Sequence, residues 1–268
     1  TTTFNNAVDV SSGSVDDLKF SAAGTVILNS SLTGNVVTTG NNQGILTTTG
    51  LNKTITGNIG SSTSLDLNTL NIGSDTVSGN YSITTINGDV FANSTVLNNG
   101  TTNSSELILA SGKNITSTIT TADNGKGILT LFGGTQTVTG QVGTGGVGGL
   151  SLAEVNAGAN GATSTFANDV YATNLDVEGT GTVNLDGKFT GTAVRYNADG
   201  TVILADTKNI DSSVTTATNN TGTLSLEGSS TVTGQVGASG ASLKEINAGV
   251  AGTTSTFAND VYATNTNI

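Results

Sequence analysis

The chain has 268 residues, of which about a third are apolar and only 4% aromatic, poorer in both than a compact globule of that length. Its formal charge is −11, its pI is about 4.1, and Arg195 is the one arginine beside seven lysines. Phosphate neutralisation needs clustered cations, so nucleic acid and anionic membrane surfaces are poor partners, and the absence of Cys and His removes disulfides, thiolate and imidazole metal sites and histidine-dependent triads.

Short β-type runs follow one another from end to end: Thr25–Leu28, Leu65–Leu67, Tyr81–Ile86, Glu106–Ala110, Ile128–Leu131, Asp169–Ala172, Thr182–Leu185, Thr201–Leu204 and Thr223–Leu226. Gly, Asn-Gly or Asp-Gly steps separate them, at Asn87-Gly88, Asn99-Gly100, Asn124-Gly125, Asp186-Gly187 and Asp199-Gly200, and such dipeptides favour left-handed turns. No run reaches the length of a membrane-spanning helix, and no basic-then-apolar leader opens the chain. The absence of proline suits a chain in which nearly every residue donates to a ladder.

Phrases recur in fixed order. STFANDVYATN stands at Ser164–Asn174 and again at Ser255–Asn265; TVTGQVG stands at Thr137–Gly143 and Thr231–Gly237. SLAEVNAG (Ser151–Gly158) answers SLKEINAG (Ser242–Gly249), and GILTLFG (Gly127–Gly133) answers GTLSLEG (Gly222–Gly228). A weaker copy runs through GILTTTG (Gly44–Gly50), TITGNIG (Thr54–Gly60) and VFANSTV (Val90–Val96), so Phe4, Phe91, Phe166 and Phe257 mark equivalent positions. Repeat units are expected at 4–90, 91–165 and 166–256, with a further copy starting at 257–268, the whole of 1–268 forming one continuous segment of a longer or processed protein.

Copies of unequal length with retained order point to a solenoid with insertions between strands. The expectation is an all-β fold, a right-handed parallel β-helix with coils of about 20 to 24 residues, four per unit. Some 12 coils at ~4.8 Å would reach roughly 60 Å. Aliphatics and the four recurrent Phe would fill the bore, with Thr and Asn stacked outside.

From about Leu107 to Ile268 the phrases TVTGQVG, SLKEINAG, STFANDVYATN and GTLSLEG, on a Cys-free Gly/Asn/Thr-rich background, resemble the passenger regions of rickettsial surface-cell-antigen autotransporters of the outer-membrane protein A and B type. The resemblance implies secretion through a C-terminal outer-membrane β-barrel lying outside this segment. It implies display on the bacterial cell surface, with roles in host-cell adhesion or as a protective surface layer.

The residues offer little chemistry. Asp16-Asp17, Asp176 with Glu178, and Asp206 with Asp211 are the main acidic pairings, and they read as solvated turn positions, not as a catalytic set. Turns at Asp123-Asn124-Gly125 and Asp199-Gly200 lack the repeated pattern of calcium solenoids, so no metal and no cofactor is expected. Gly143–Gly149 reads as a flexible protruding turn, and unequal intervals are expected to break the register of Thr-x-Thr arrays such as Thr135–Thr139. Tyr81, Tyr171, Tyr196 and Tyr262 are of a type enriched in binding hot spots. Arg195 and Tyr196, unique to one copy, are the candidate contact point. The expected activity is non-enzymatic: attachment to a host-cell receptor or neighbouring surface proteins, or, as the alternative, a fibre or stalk subunit assembling end to end.

Overall fold

A computed structural model describes residues 1–11, 17–61, 64–74, 81–99 and 103–268; Asp16 and Gly100 lie outside this set. The described residues form 27 strands and no helix. Every pairing between these strands is parallel, joining thirteen in one sheet, twelve in a second and two in a third. The only antiparallel contacts among the described residues are single bridges inside loops, Ser61 with Leu65 and Ala238 with Ala241. The chain is therefore a parallel β-helix of about 11 turns, close to the twelve expected.

The strands form because apolar residues alternate with Thr, Ser and Asn over four-residue stretches bounded by Gly or Asn, which suits a half-buried pleated surface. Thr182–Leu185, Thr201–Leu204 and Thr223–Leu226 lie one above another in continuous register, each with its second and fourth residues buried. Stacking carries those inward residues into columns. Val36, Ile59, Val90, Ile115, Val138, Phe166, Leu185, Leu204 and Leu226 follow one another up one side. All nine are buried. Leu32, Ile55, Ile86, Leu109 and Leu131 form a column on a second side. Ile119, Val142, Val170, Phe189, Ile210, Val232 and Phe257 form one on the third. Burying an aliphatic side chain contributes about 1.5 to 3 kcal/mol, so the core is a thin triangular bore whose stability accumulates coil by coil.

Coil length varies more than expected. The step from Asp17 to Asn35 is 18 residues and that from Gly50 to Ser82 is 32, because extra residues are accommodated between strands, with local register shifts inside three ladders, at Ser82/Thr84, Phe91/Ser94 and Thr190/Ala193. Polar links tie the coils at one corner. The side-chain oxygens of Asn35, Asn58, Asp89 and Asn114 accept the backbone N–H of Asn58, Asp89, Asn114 and Thr137, each one coil above, at 2.8 to 2.9 Å.

The bore differs from the expected lining in two respects. It includes hydroxyls: Thr48, Ser82 and Thr84 are buried and bond one another, Thr48 Oγ1 to Thr84 Oγ1 at 2.8 Å and Ser82 Oγ to Thr84 Oγ1 at 2.9 Å. The four marker Phe are also not alike. Phe166 is buried, and Phe4 and Phe257 pack half-covered against the core. Phe91 lies between inward Val90 and Ala92 and so points outward, because a strand turns successive side chains to opposite faces.

The identical phrases are not superposed along the axis. Phe166 stacks on Val138 in the thirteen-stranded sheet, and Phe257 stacks on Val232 in the twelve-stranded one. From Val170 the third side climbs four coils through Phe189, Ile210 and Val232 to Phe257, and Phe166 precedes Val170 by one corner. The repeat from Phe166 to Phe257 is thus four coils plus one side, whereas Val90, beside Phe91, is three coils from Phe166 on the same side. Local contacts are conserved between the copies and the direction they face is not.

The TVTGQVG phrase shows what those contacts require. A Cβ on Gly140 or Gly234 would overlap the backbone of Ser117 or Ser212 one coil below. Gln141 and Gln235 donate to the carbonyls of Gly143 and Gly237 at 2.8 and 2.7 Å. Replacing Gly140 by Ala is expected to destabilise the segment by about 1 to 3 kcal/mol through overpacking, read as a lowered denaturant midpoint. Phe166→Ala should cost ~3 to 5 kcal/mol and Phe257→Ala clearly less; equal losses would contradict the two burials.

Candidate functional site

Arg195 and Tyr196 close the strand Phe189–Tyr196, which crosses a corner and pairs with Val170–Val177 below and Asn209–Thr216 above. Alternation sends the two side chains to opposite faces. Tyr196 enters the bore at 1% exposure, and its hydroxyl donates to the Thr223 carbonyl at 2.6 Å. Burial pushes the pKa of its phenol up. Gly222 (φ +88°) passes directly over the ring, where any Cβ would overlap it. The expected joint contact point is therefore corrected: Tyr196 is a core residue, because its position in the strand is an inward one.

Arg195 stays on the outer face, engaged with two acids. Its guanidinium makes two contacts with the Asp176 carboxylate and reaches Glu154 Oε2 at 3.2 Å. Asp176, beside which the Arg195 pKa is raised, is only 2% exposed. It is not a solvated turn residue, as expected from sequence, but a strand residue roofed by Arg195.

The other repeat explains this arrangement. There Asn267 stands where Asp176 does, and its amide donates to Glu245 Oε1 at 3.1 Å and to Asn247 Oδ1 at 2.7 Å. These two are the counterparts of Glu154 and Asn156. A carboxylate cannot donate, so Asp176 leaves Asn156 Oδ1 buried without a partner and places a second negative charge near Glu154. Arg195 answers both acids with one cation. The signal in the sequence was the Asp/Asn difference between the copies, read together with the single Arg.

Other carboxylates serve stacking. Asp169, Asp199 and Asp206 accept backbone N–H groups of Lys188, Gly222 and Ser229 from the next coil at 3.0, 3.1 and 2.7 Å. Glu178 accepts from Asn197 at 2.8 Å, and Lys244 reaches Asp199 at 2.6 Å. In the turn at Asp123-Asn124-Gly125, Asn124 Oδ1 accepts the N–H of Ser151 at 3.0 Å. Among the described residues no three acidic groups converge as a metal site would require.

Two further expectations change. Gly143–Gly149 is closed upon itself: Thr144 N donates to the Leu150 carbonyl at 3.1 Å, Leu150 N to Thr144 Oγ1 at 2.7 Å and Gly149 N to the Gly146 carbonyl at 3.0 Å. Gly145 packs against the Tyr171 ring, and Lys188 Nζ lies 5.1 Å from that ring's centroid. Val147 stands fully exposed at the tip. The Thr array also keeps its register: Thr135, Thr163, Thr182, Thr201 and Thr223 are successive partners up one outer face. Insertions leave that column undisturbed, although the parallel column from Thr137 and Thr165 continues through Asn184 and Ile203.

Comparison with protein-family models, curated proteins and solved structures gives no match.

Arg195→Ala is expected to destabilise the segment by about 3 kcal/mol, because it leaves Asp176 covered and unpaired. In an Asp176→Asn background the same change should cost under ~1 kcal/mol, since the new amide can satisfy Glu154 and Asn156 as Asn267 does in the other copy. Equal losses in the two backgrounds, measured by denaturant unfolding, would show that Arg195 does not act through Asp176.

Proposed function

We propose that this chain is a displayed segment of a bacterial surface protein that acts by binding or shielding, not by catalysis. In this reading it is a passenger carried outside the outer membrane by a β-barrel located elsewhere in the protein, with a host-cell receptor or neighbouring surface molecules as partners. The resemblance of the repeat phrases to autotransporter passengers supports the assignment, together with the parallel β-helix itself.

The observation that carries the non-catalytic part is how the polar residues are used. Asp89, Asp169 and Asp206 accept backbone N–H groups from the next coil, and Asp176 and Asp199 pair with Arg195 and Lys244. A general acid or base must instead be free to meet a substrate proton. Thr144–Leu150, longer than the matching loop Ala238–Ala241 of the second copy, gathers with Tyr171 and Lys188 at one outer corner, where a partner can reach them.

Beads coated with the purified segment are expected to attach to host cells, or to shield a surface from another ligand, while showing no turnover of polysaccharide, peptide or ester substrates. Hydrolysis of a glycan, lost on replacing one carboxylate, would overturn the assignment.

A further inference from the structure

The loop Thr144–Leu150 roofs a cavity of about 350 Å³ whose floor is supplied by the adjoining Ser151 and by three other coils, through Asn124, Tyr171 and Thr190. That volume is at the small end of ligand-sized cavities and suits one sugar ring. We propose that it binds the carboxylate-bearing terminal sugar of a surface glycan. The inference rests on the binding function proposed above and names its ligand class.

Three features point to an acceptor-rich, anionic ligand. Gly146 and Gly148 have φ of +89° and +78°, whereas Gly145 and Val147 are not left-handed. Such alternation turns successive N–H groups toward one side and makes the concavity in which backbone amides hold anions. The N–H groups of Gly145 to Gly148 donate to nothing in the protein, so they are available. Secondly, Thr190 lines this cavity, and its Oγ1, covered in the unliganded protein, has no hydrogen-bond partner. An unsatisfied buried hydroxyl costs about 1 to 3 kcal/mol, and a ligand oxygen at this position would satisfy it.

Thirdly, the local cation is Lys188, two residues before Thr190 and held over the Tyr171 ring. Two carboxylates lie close to it: Asp169, taken up by the Tyr171 hydroxyl at 3.2 Å and the Lys188 N–H at 3.0 Å, and Asp211, the strand partner of Thr190 one coil above. The hydroxyls of Thr144, Ser151 and Thr190 match a polyhydroxylated ligand better than a peptide. Tyr171 has Gly145 packed against it and Lys188 close to its ring, so recognition rests on the polar rim and not on ring stacking. A net charge of −11 opposes a dianion such as phosphate more than a single carboxylate.

The second repeat supplies a natural control. Its loop, Ala238 to Ala241, is shorter and is closed by reciprocal bonds between those two residues at 3.0 Å. Grafting it in place of Thr144–Leu150 removes the four free amides while using a connection this fold already accommodates.

The test is amide NMR of the whole segment titrated with N-acetylneuraminic acid, with its methyl ester as the uncharged control. Saturable shifts of the Gly145 to Gly148 amides with the acid are expected at a Kd of about 1 mM, and little response to the ester. Thr190→Val should leave thermal stability unchanged or raised, since it removes an unsatisfied hydroxyl, yet weaken binding about tenfold. The loop graft should abolish the response. No saturable shift at the four amides, equal shifts with the ester, or full binding by the loop graft would each overturn the proposal. Failure here with host-cell attachment intact would leave the binding function standing; saturable sugar binding without attachment or shielding would remove that function and keep the site.

Discussion

The structure depends on one constraint: every strand hydrogen-bonds in parallel to the strand one coil away. A parallel ladder confines register shifts to local bulges, as at Ser82/Thr84, Phe91/Ser94 and Thr190/Ala193, since a slip of a whole strand by one residue would turn the inward side chains out. The nine-residue column from Val36 to Leu226 persists because each coil restores this register, whatever length of chain intervenes. Glycine is abundant for the same reason: where coils approach most closely, as at Gly140 over Ser117, there is no room for a side chain.

Polar chemistry in this fold is also organised vertically. Asn and Asp at the corners satisfy backbone donors that the sheets leave over, so each coil is capped by side chains of its neighbour. Such stacking makes the replacement of an amide by an acid consequential, because a donor disappears and a charge takes its place. Arg195, bridging Asp176 and Glu154, is the local solution. Its uniqueness in the sequence therefore has a structural origin before any functional one.

Much of the fold was legible in the residues. Thr25–Leu28, Thr182–Leu185, Thr201–Leu204 and Thr223–Leu226 have the bounds read from alternation and turn residues alone. Leu67–Ile72 did not, because its buried positions Leu67, Leu70 and Ile72 break the two-residue period. The eight-residue strands Val170–Val177 and Phe189–Tyr196 were shortened or missed because they round a corner without a turn signal. The candidate site was less legible. Arg195 could be singled out by type, but Asp176 and Glu154 become its neighbours only through coil spacing, 19 and 41 residues away in the chain. Tyr196 was misplaced because hot-spot composition says nothing about which face of a strand a residue takes.

That the repeat from Phe166 to Phe257 spans four coils and one side has a consequence for avidity. Two copies of the same surface are separated by about 20 Å along the axis and face different sides of a triangular rod. A flat array of receptors can therefore engage one copy and not its successor, and effective concentration vanishes for a pair that geometry keeps from binding together. A longer run of such repeats would distribute identical epitopes around the rod like treads on a spiral stair, favouring partners that approach from all directions over a single adhesive face.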